Sequence, residues 1–356
     1  MSSERTHLRA ERLEVPADWD AVQELFLERQ WTDGLPIVPP TEQRVQAMLA
    51  TVPGEPTTSL GQMPPLYAEA TLEKLAINAV MAGCRPDYFP VIVAAVRAML
   101  RAPFNLYGIQ ATTHPVAPLL VVHGPIARRL RVHGGSGAFG PGFHANATIG
   151  RAIRLILMNI GGAWPGGRDR ATHGSPAKFS YCMTENTEAS PWPEFHTSRG
   201  FGPDDSAVTV FGGEAPHNVN DHESSDPVRF LDIVADAMAQ LGHNNWYIAQ
   251  DGFNNFAVVL SPEHAALIAG AGWTRYDVQR YLFVQASRPV SVLRRGGMWD
   301  MRDWPAWMEA MARDPEARIP VVRRPDDILV FVAGGPGKHS LVIPSFGATQ
   351  SVTEPV

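Results

Sequence analysis

An α/β fold built from two duplicated units is predicted by three features of the chain. Short apolar runs bounded by Gly and Pro, read as buried strands, recur between segments with helical periodicity. The second half repeats landmarks of the first. Asp87 and Asp226 precede helices 139 residues apart, Tyr107 and Gln110 match Tyr247 and Gln250 at 140, and Val121-Val122 with Pro125 match Val258-Val259 with Pro262 at 137. The 356 residues, 45% hydrophobic and 19% charged, suffice for a sizeable core. The units are expected to pack about a pseudo-two-fold, after an N-terminal helical and Pro-rich arm. The boundaries read 1–67 for the tail, helix and arm, 68–200 for the first unit, and 201–356 for the second.

In chain order, residues 1–13 read as a poorly ordered tail. Asp18–Arg29 carries Trp19, Val22, Leu25 and Phe26 at helical spacing, and Trp31–Thr41 is a proline-locked extended arm followed by a helix from Gln43 to Leu49. Ala68–Leu100 predicts two helices interrupted at Gly83–Asp87, and Pro118–Val122 a buried strand. A nine-residue run from Gly134 to Gly142, five of them Gly, cannot continue a helix or strand, so it reads as a shaped loop opening into a helix over about Ala145–Asn159. Strands are predicted at Lys178–Met183, Ala207–Phe211, Phe256–Leu260, Asp327–Ala333 and Ser340–Pro344. Helices are expected at Pro227–Leu241, capped by Ser225 or Asp226, at Pro262–Ala269 and at Thr274–Phe283, with a surface helical excursion at Trp299–Arg313.

The glycine loop has neither Walker nor dinucleotide spacing, yet a loop feeding a helix start offers free N–H groups to an anion. Ser136, His144 and Asn146 are its candidate binding groups. The loop from His217 to His222 gathers His217, Asp221 and His222, read as a general base with its carboxylate, or as ligands His217 and His222 for zinc or iron if His243, His339 or Glu185 completes the set. Cys84, between a helix end and a helix start and beside Arg85, is a candidate nucleophile with a lowered pKa. Glu185 and Asn186 past one strand, Gln250 in the duplicated position, and Lys338 with His339 past another complete the substrate-binding candidates. His123 and His264 flank strand ends and read equally well as satisfied core or rim residues.

Trp31–Thr41, Ala82-Gly83-Cys84-Arg85-Pro86, Gly140-Pro141-Gly142 with Ala145–Ala152, and Gly337–Ser340 together resemble a poorly characterised bacterial family, the UGSC-motif (seleno)proteins, over almost the whole chain. The chain lacks any Cys-Gly-Ser-Cys counterpart of the motif that names that family. The resemblance therefore implies neither a redox activity nor a catalytic residue set here.

These residues predict an enzyme acting on a small anionic or polar organic molecule, by hydrolysis or lyase-type proton abstraction, in a cleft between the two units. The alternatives are a non-catalytic small-molecule binding protein and a thiol-redox protein using Cys84 and Cys182. A net charge of −6 and the absence of a basic run argue against nucleic acid, and no apolar run is long enough for a bilayer. A polar N-terminus and two cysteines 98 residues apart, with no zinc spacing, lead to the expectation of a cytoplasmic protein, and the abundant tryptophan to that of a homo-oligomer.

Overall fold

The structure, a computed structural model, describes residues 8–247, 254–296 and 306–356. Its centre is a pair of four-stranded sheets. In the first, β3 (Ala117–His123) pairs parallel with β4 (Cys182–Thr184) on one side and antiparallel with β5 (Ala207–Gly213) on the other, and β12 (Val352–Pro355) adds antiparallel to β5. In the second, β7 (Phe256–Leu260) pairs parallel with β10 (Ile328–Val332) and antiparallel with β11 (His339–Ile343), to which β6 (His217–Asn220) adds antiparallel. The two sheets share one plan, β3, β4, β5 and β12 corresponding to β7, β10, β11 and β6. This similarity of build supports the internal duplication read from the residue spacings.

The last strand of each plan comes from the other half of the chain. After β5 the chain crosses to the second sheet as β6, and after β11 it crosses to the first as β12. The crossovers pass side by side: Gly213 bridges Ser345, the Glu214 N–H donates to Pro344 O at 2.8 Å, and the Phe346 N–H donates to Gly212 O at 3.2 Å. A Cβ at Gly213 would stand 2.7 Å from the Phe211 ring and 2.9 Å from Ile343 Cγ2, so glycine permits the close passage. Strand β5 lies beyond the boundary drawn at residue 200, yet it belongs to the first sheet.

Alternation along the strands sorts their residues into layers. Leu119 and Val121 of β3, Phe211 of β5, Ala257 and Val259 of β7, Leu329 and Phe331 of β10, and Ile343 of β11 form one core between the sheets. Leu120, Val122, Val208 and Val210 face the opposite way, onto helices α3 (Leu72–Met81), α4 (Phe89–Leu100) and α7 (His144–Asn159). Phe256, Val258, Val330 and Val342 likewise face α8 (Pro227–Met238), α9 (Pro262–Gly270) and α10 (Arg275–Gln285). The molecule is thus layered helix, sheet, sheet, helix. Strands buried on both faces explain why they read as continuous apolar runs.

The arm begins with α1 (Trp19–Glu28) and α2 (Glu42–Leu49). Asp226 caps α8 by accepting from the Val228 N–H, and Thr274 opens α10 with a capping box to Asp277. Three elements depart from expectation. A hairpin pairs β1 (Ser59–Met63) with β2 (Ala68–Thr71), and β2 takes the first four residues of the predicted helical stretch. Residues 217–220 are strand and not loop. The predicted tail is held in place from Arg9, because the buried Glu73 carboxylate accepts the N–H groups of Arg9 and Ala10 at 2.9–3.0 Å. Part of the expected Trp299–Arg313 excursion lies outside the described residues, its remainder forming a short helix at Ala306–Met311. No single helix among the described residues is long and apolar enough to cross a membrane.

Candidate functional site

His123 is the last residue of β3 and shares its face with Leu119 and Val121, so its ring enters the layer between the sheets. The side chain is fully buried. Its Nε2 lies 2.9 Å from Thr209 Oγ1 on β5, which lies 2.9 Å from Thr353 Oγ1 on β12. A polar relay thus runs across three strands. Its Nδ1 lies 3.6 Å from Glu185 Oε2 without a hydrogen bond.

Glu185, one residue past β4, is equally buried. Burial alone would push its carboxyl up, but the Arg275 guanidinium at 2.8 Å, His123 and the Phe195 N–H at 2.6 Å outweigh it and hold the group below the ordinary carboxylate value. The same loop brings in Glu194 and His196. The Glu194 Oε2 accepts the Gly124 N–H at 2.7 Å, and Arg128 lies 3.4 Å from Oε1. His196 stacks on His123, ring centroids 5.2 Å apart, and its Nε2 donates to Gly202 O at 3.1 Å. Burial, aided by the neighbouring His123, lowers the His196 pKa from the ordinary imidazole value.

The ring is therefore neutral at pH 7, and with Nε2 carrying the proton its Nδ1 presents a lone pair. That lone pair stands 3.5 Å from Glu194 Oε2 and has no hydrogen-bond partner. One ligand atom each of His123, Glu194 and His196 falls within 4.8 Å of the others. This His/Glu triad can coordinate a metal ion. A histidine whose other nitrogen donates to a backbone carbonyl is oriented as metal-bound histidines usually are.

The residues read from the sequence fall into three places. Around the glycine loop, Gly334 N–H donates to Gly134 O at 2.8 Å, Asn186 Nδ2 donates to Gly334 O at 2.9 Å, and a Cβ on Gly335 would collide with Ser136 Oγ. Ser136, Asn186 and the backbone of Glu185 therefore meet, beside the triad. At the other end of the 334–339 loop, Lys338 Nζ donates to His222 O at 2.8 Å, His339 Nδ1 lies 3.1 Å from Asn218 Oδ1, and the His222 and His339 rings stand edge to face. Cys84, Arg85 and His144 lie elsewhere: Cys84 belongs to the core under the helical layer, Arg85 is exposed, and His144 faces Tyr88 Oη at 3.3 Å. Gln250 lies outside the described residues.

Several roles are corrected. His217 is the first residue of β6, whereas His222 lies two residues past its end with its ring edge to face on His339, and the metal-capable group found among the described residues includes neither. Asp221 does not orient His217. Its Oδ1 accepts the N–H groups of Glu223 and Ser224 in a turn, and the Ser224 hydroxyl first, with these N–H groups after it, holds its carboxyl below the ordinary value against burial. Asn146 is spent on structure, accepting from the His133 N–H and donating to His133 O and Ala138 O, so it staples the glycine loop shut. The Cys84 thiol donates to Thr148 O, and burial pushes its pKa up to about 12, with Arg151 and not Arg85 as the opposing charge. Cys182 is pushed up further, and both thiols are free.

His196 and Glu194 carried no visible signal beyond an acidic and an imidazole group two apart in a Pro-rich loop, and His123 read equally well as a core or a rim residue. Only the fold joins β3 to that loop. No family model, curated protein or solved structure matches the chain.

Proposed function

We propose that the chain is a metal-dependent enzyme acting on a small anionic or polar organic molecule by hydrolysis or lyase-type proton abstraction. The ion, zinc or iron, is held by His123, His196 and Glu194. The observation carrying this reading is the pair of buried imidazole Nδ1 atoms without partners, one of them a lone pair facing a carboxylate. That arrangement is repulsive until a cation lies between them. Two imidazoles and one carboxylate leave coordination positions in which an ion can polarise a carbonyl or activate a water. Ser136 and Asn186 then offer hydrogen bonds to the polar group, and Glu185, kept ionised, is the adjacent carboxylate. Membership of the UGSC-motif family belongs to the same proposal. Its support is that three of the four resembling stretches touch one another: a Cβ at Gly83 would lie 3.8 Å from Val38 and 3.7 Å from Thr148, the Cys84 thiol donates to Thr148 O, and Arg151 pairs with Asp33.

Calorimetric titration of chelator-treated protein with Zn2+ or, anaerobically, Fe2+ tests the centre. Binding of about one ion per chain, weakened about 10–100-fold or more in His196→Ala, is the expected result; no binding by the native chain sinks it. The full burial of both imidazoles favours one rival, a non-catalytic ion. A cobalt-substituted protein distinguishes the two: visible bands that shift on adding azide show an open position, whereas unmoved bands leave a structural ion.

A further inference from the structure

Two cations share one carboxylate on the approach to β4. Asp169 ends a tight turn, its N–H donating to Trp164 O at 3.1 Å, and both of its oxygens are taken: Oδ1 accepts the Ala171 N–H at 3.0 Å and Oδ2 accepts Lys178 Nζ at 2.7 Å. Arg154, on α7, reaches the same carboxylate only at 3.8 Å, beyond hydrogen-bond distance. The Asp33 carboxylate does not balance it, being held by both prongs of Arg151. Two positive charges therefore stand against one negative, on side chains 7% (Arg154), 13% (Lys178) and 4% (Asp169) exposed. Burial is the first cause lowering the pKa of both Arg154 and Lys178, so both cations are held largely out of water.

The inner nitrogen of Arg154 fixes its plane. Nε donates to Lys178 O at 2.8 Å, which leaves Nη1 and Nη2 as the free edge. Neither Nη atom makes a hydrogen bond among the described residues, and neither is shut off from solvent. Unlike the sealed nitrogens His114 Nδ1 and His243 Nδ1, this edge can be reached from outside. A nearly desolvated guanidinium thus keeps most of its donors for whatever enters the crevice. The rim has the same sign: Arg168 and Arg170 flank Asp169 and are exposed, and Asp169 is the only acidic residue between Gly161 and Tyr181.

We propose that this crevice binds a small oxyanion, a carboxylate or phosphate group, received by the Nη edge of Arg154 and by Lys178. A guanidinium edge offers two parallel N–H bonds that match two oxygens of either group, and the anion offsets the surplus buried charge. Lys178 precedes β4, whereas His123 and Glu185 stand at the far ends of the parallel strands β3 and β4. The site is therefore separate from the His/Glu triad and does not depend on an ion there.

The test is calorimetric titration of the chelator-treated full chain with inorganic phosphate and, separately, acetate, at low ionic strength where screening is least. At least one of the two is expected to bind saturably; tighter phosphate marks a phosphate site and tighter acetate a carboxylate site. Arg154→Met removes the fork and is expected to weaken the bound anion about tenfold or more, as the loss of a hydrogen bond to a charged group implies. Lys178→Met is expected to weaken it comparably, and serves as the second probe if Arg154→Met does not fold. His196→Ala leaves both cations in place and is expected to bind the anion as the native chain does. Binding of neither anion, unchanged binding in either folded cation variant, or loss of binding in folded His196→Ala overturns the proposal.

Discussion

Asp33 on the proline-rich arm and Arg151 on α7 form a two-pronged ion pair, Nε to Oδ2 at 2.8 Å and Nη2 to Oδ1 at 2.7 Å. Arg151 also donates to Leu35 O at 3.1 Å, so one guanidinium holds both a carboxylate and the backbone of the same arm. Asp33 is the one ionisable residue between Trp31 and Thr41, and it serves as a latch. Both side chains are largely buried, so removing one partner strands a desolvated charge. Asp33→Asn is expected to cost about 3–5 kcal/mol in urea denaturation. Arg151→Lys should cost nearly as much, because an ammonium cannot reproduce the fork. A loss under about 1 kcal/mol for either variant would show the pair to be a solvated surface contact.

Cys84 yields a prediction opposite to the one its neighbours suggest. A helix start and Arg85 would lower a thiol pKa, but burial raises it to about 12 from 9.0. The native protein should therefore react with a disulfide reagent at pH 8 far more slowly than the urea-unfolded chain. The raised value also sets a sign: the neutral thiol is favoured in the fold, so its contribution to stability is whole below pH 9 and is lost as pH rises towards 12. Rapid labelling of native Cys84 would contradict the burial argument.

How much could be read in advance follows from how local each signal is. Phe256–Leu260 is legible because a five-residue apolar run ends at Ser-Pro, and Pro227–Met238 because Asp226 and Pro227 mark its start. His217–Asn220 is illegible as a strand because three of its four residues are polar; only pairing with β11 makes it one. Likewise β12 has no alternation that names its partner, and β5 is its neighbour only because the chain crosses over. The site suffers most from this. His123 and His196 are 73 residues apart, and nothing local distinguishes a histidine ending a buried strand from a packed one.

Three partly or wholly buried histidines predict an acid limit. His196, His243 and His264 all have pKa values lowered from 6.5, with burial the first cause of each. A depressed imidazole is neutral in the fold and more readily protonated in the unfolded chain. Stability is therefore full above pH 6.5 and declines as pH falls from there through the native values. Denaturant midpoints at pH 7.5, 6.5 and 5.5 should fall in that order. His264 holds Ser340 Oγ at 2.8 Å and Asp221 O at 3.1 Å, so His264→Gln should lower stability while flattening the slope. A midpoint that is flat or rises towards pH 5.5 would refute the assignment.

The exchanged strands make the two halves interdependent. Residues 352–355 close the outer edge of β5, Thr353 supplies the hydroxyl beside Thr209, and Glu354 pairs with Arg101 at 2.5 Å. Deleting residues 351–356 removes a four-residue ladder from a sheet built otherwise from the first half. With each hydrogen bond contributing about 1 kcal/mol, a loss of about 2–4 kcal/mol is expected. Hydrogen exchange locates the effect. Amides of β5 should exchange at least about tenfold faster, as a loss of this size implies, while those of β7, in the other sheet, change less. The milder Thr353→Val keeps the strand and removes only the hydroxyl, leaving Thr209 bonded to His123 alone. It should cost about 1 kcal/mol and free the His123 ring to reorient, visible as a shift of its imidazole resonances. If β5 exchange is unchanged in the deletion, β12 is not part of the first sheet, and the relay from Thr353 to His123 falls with it.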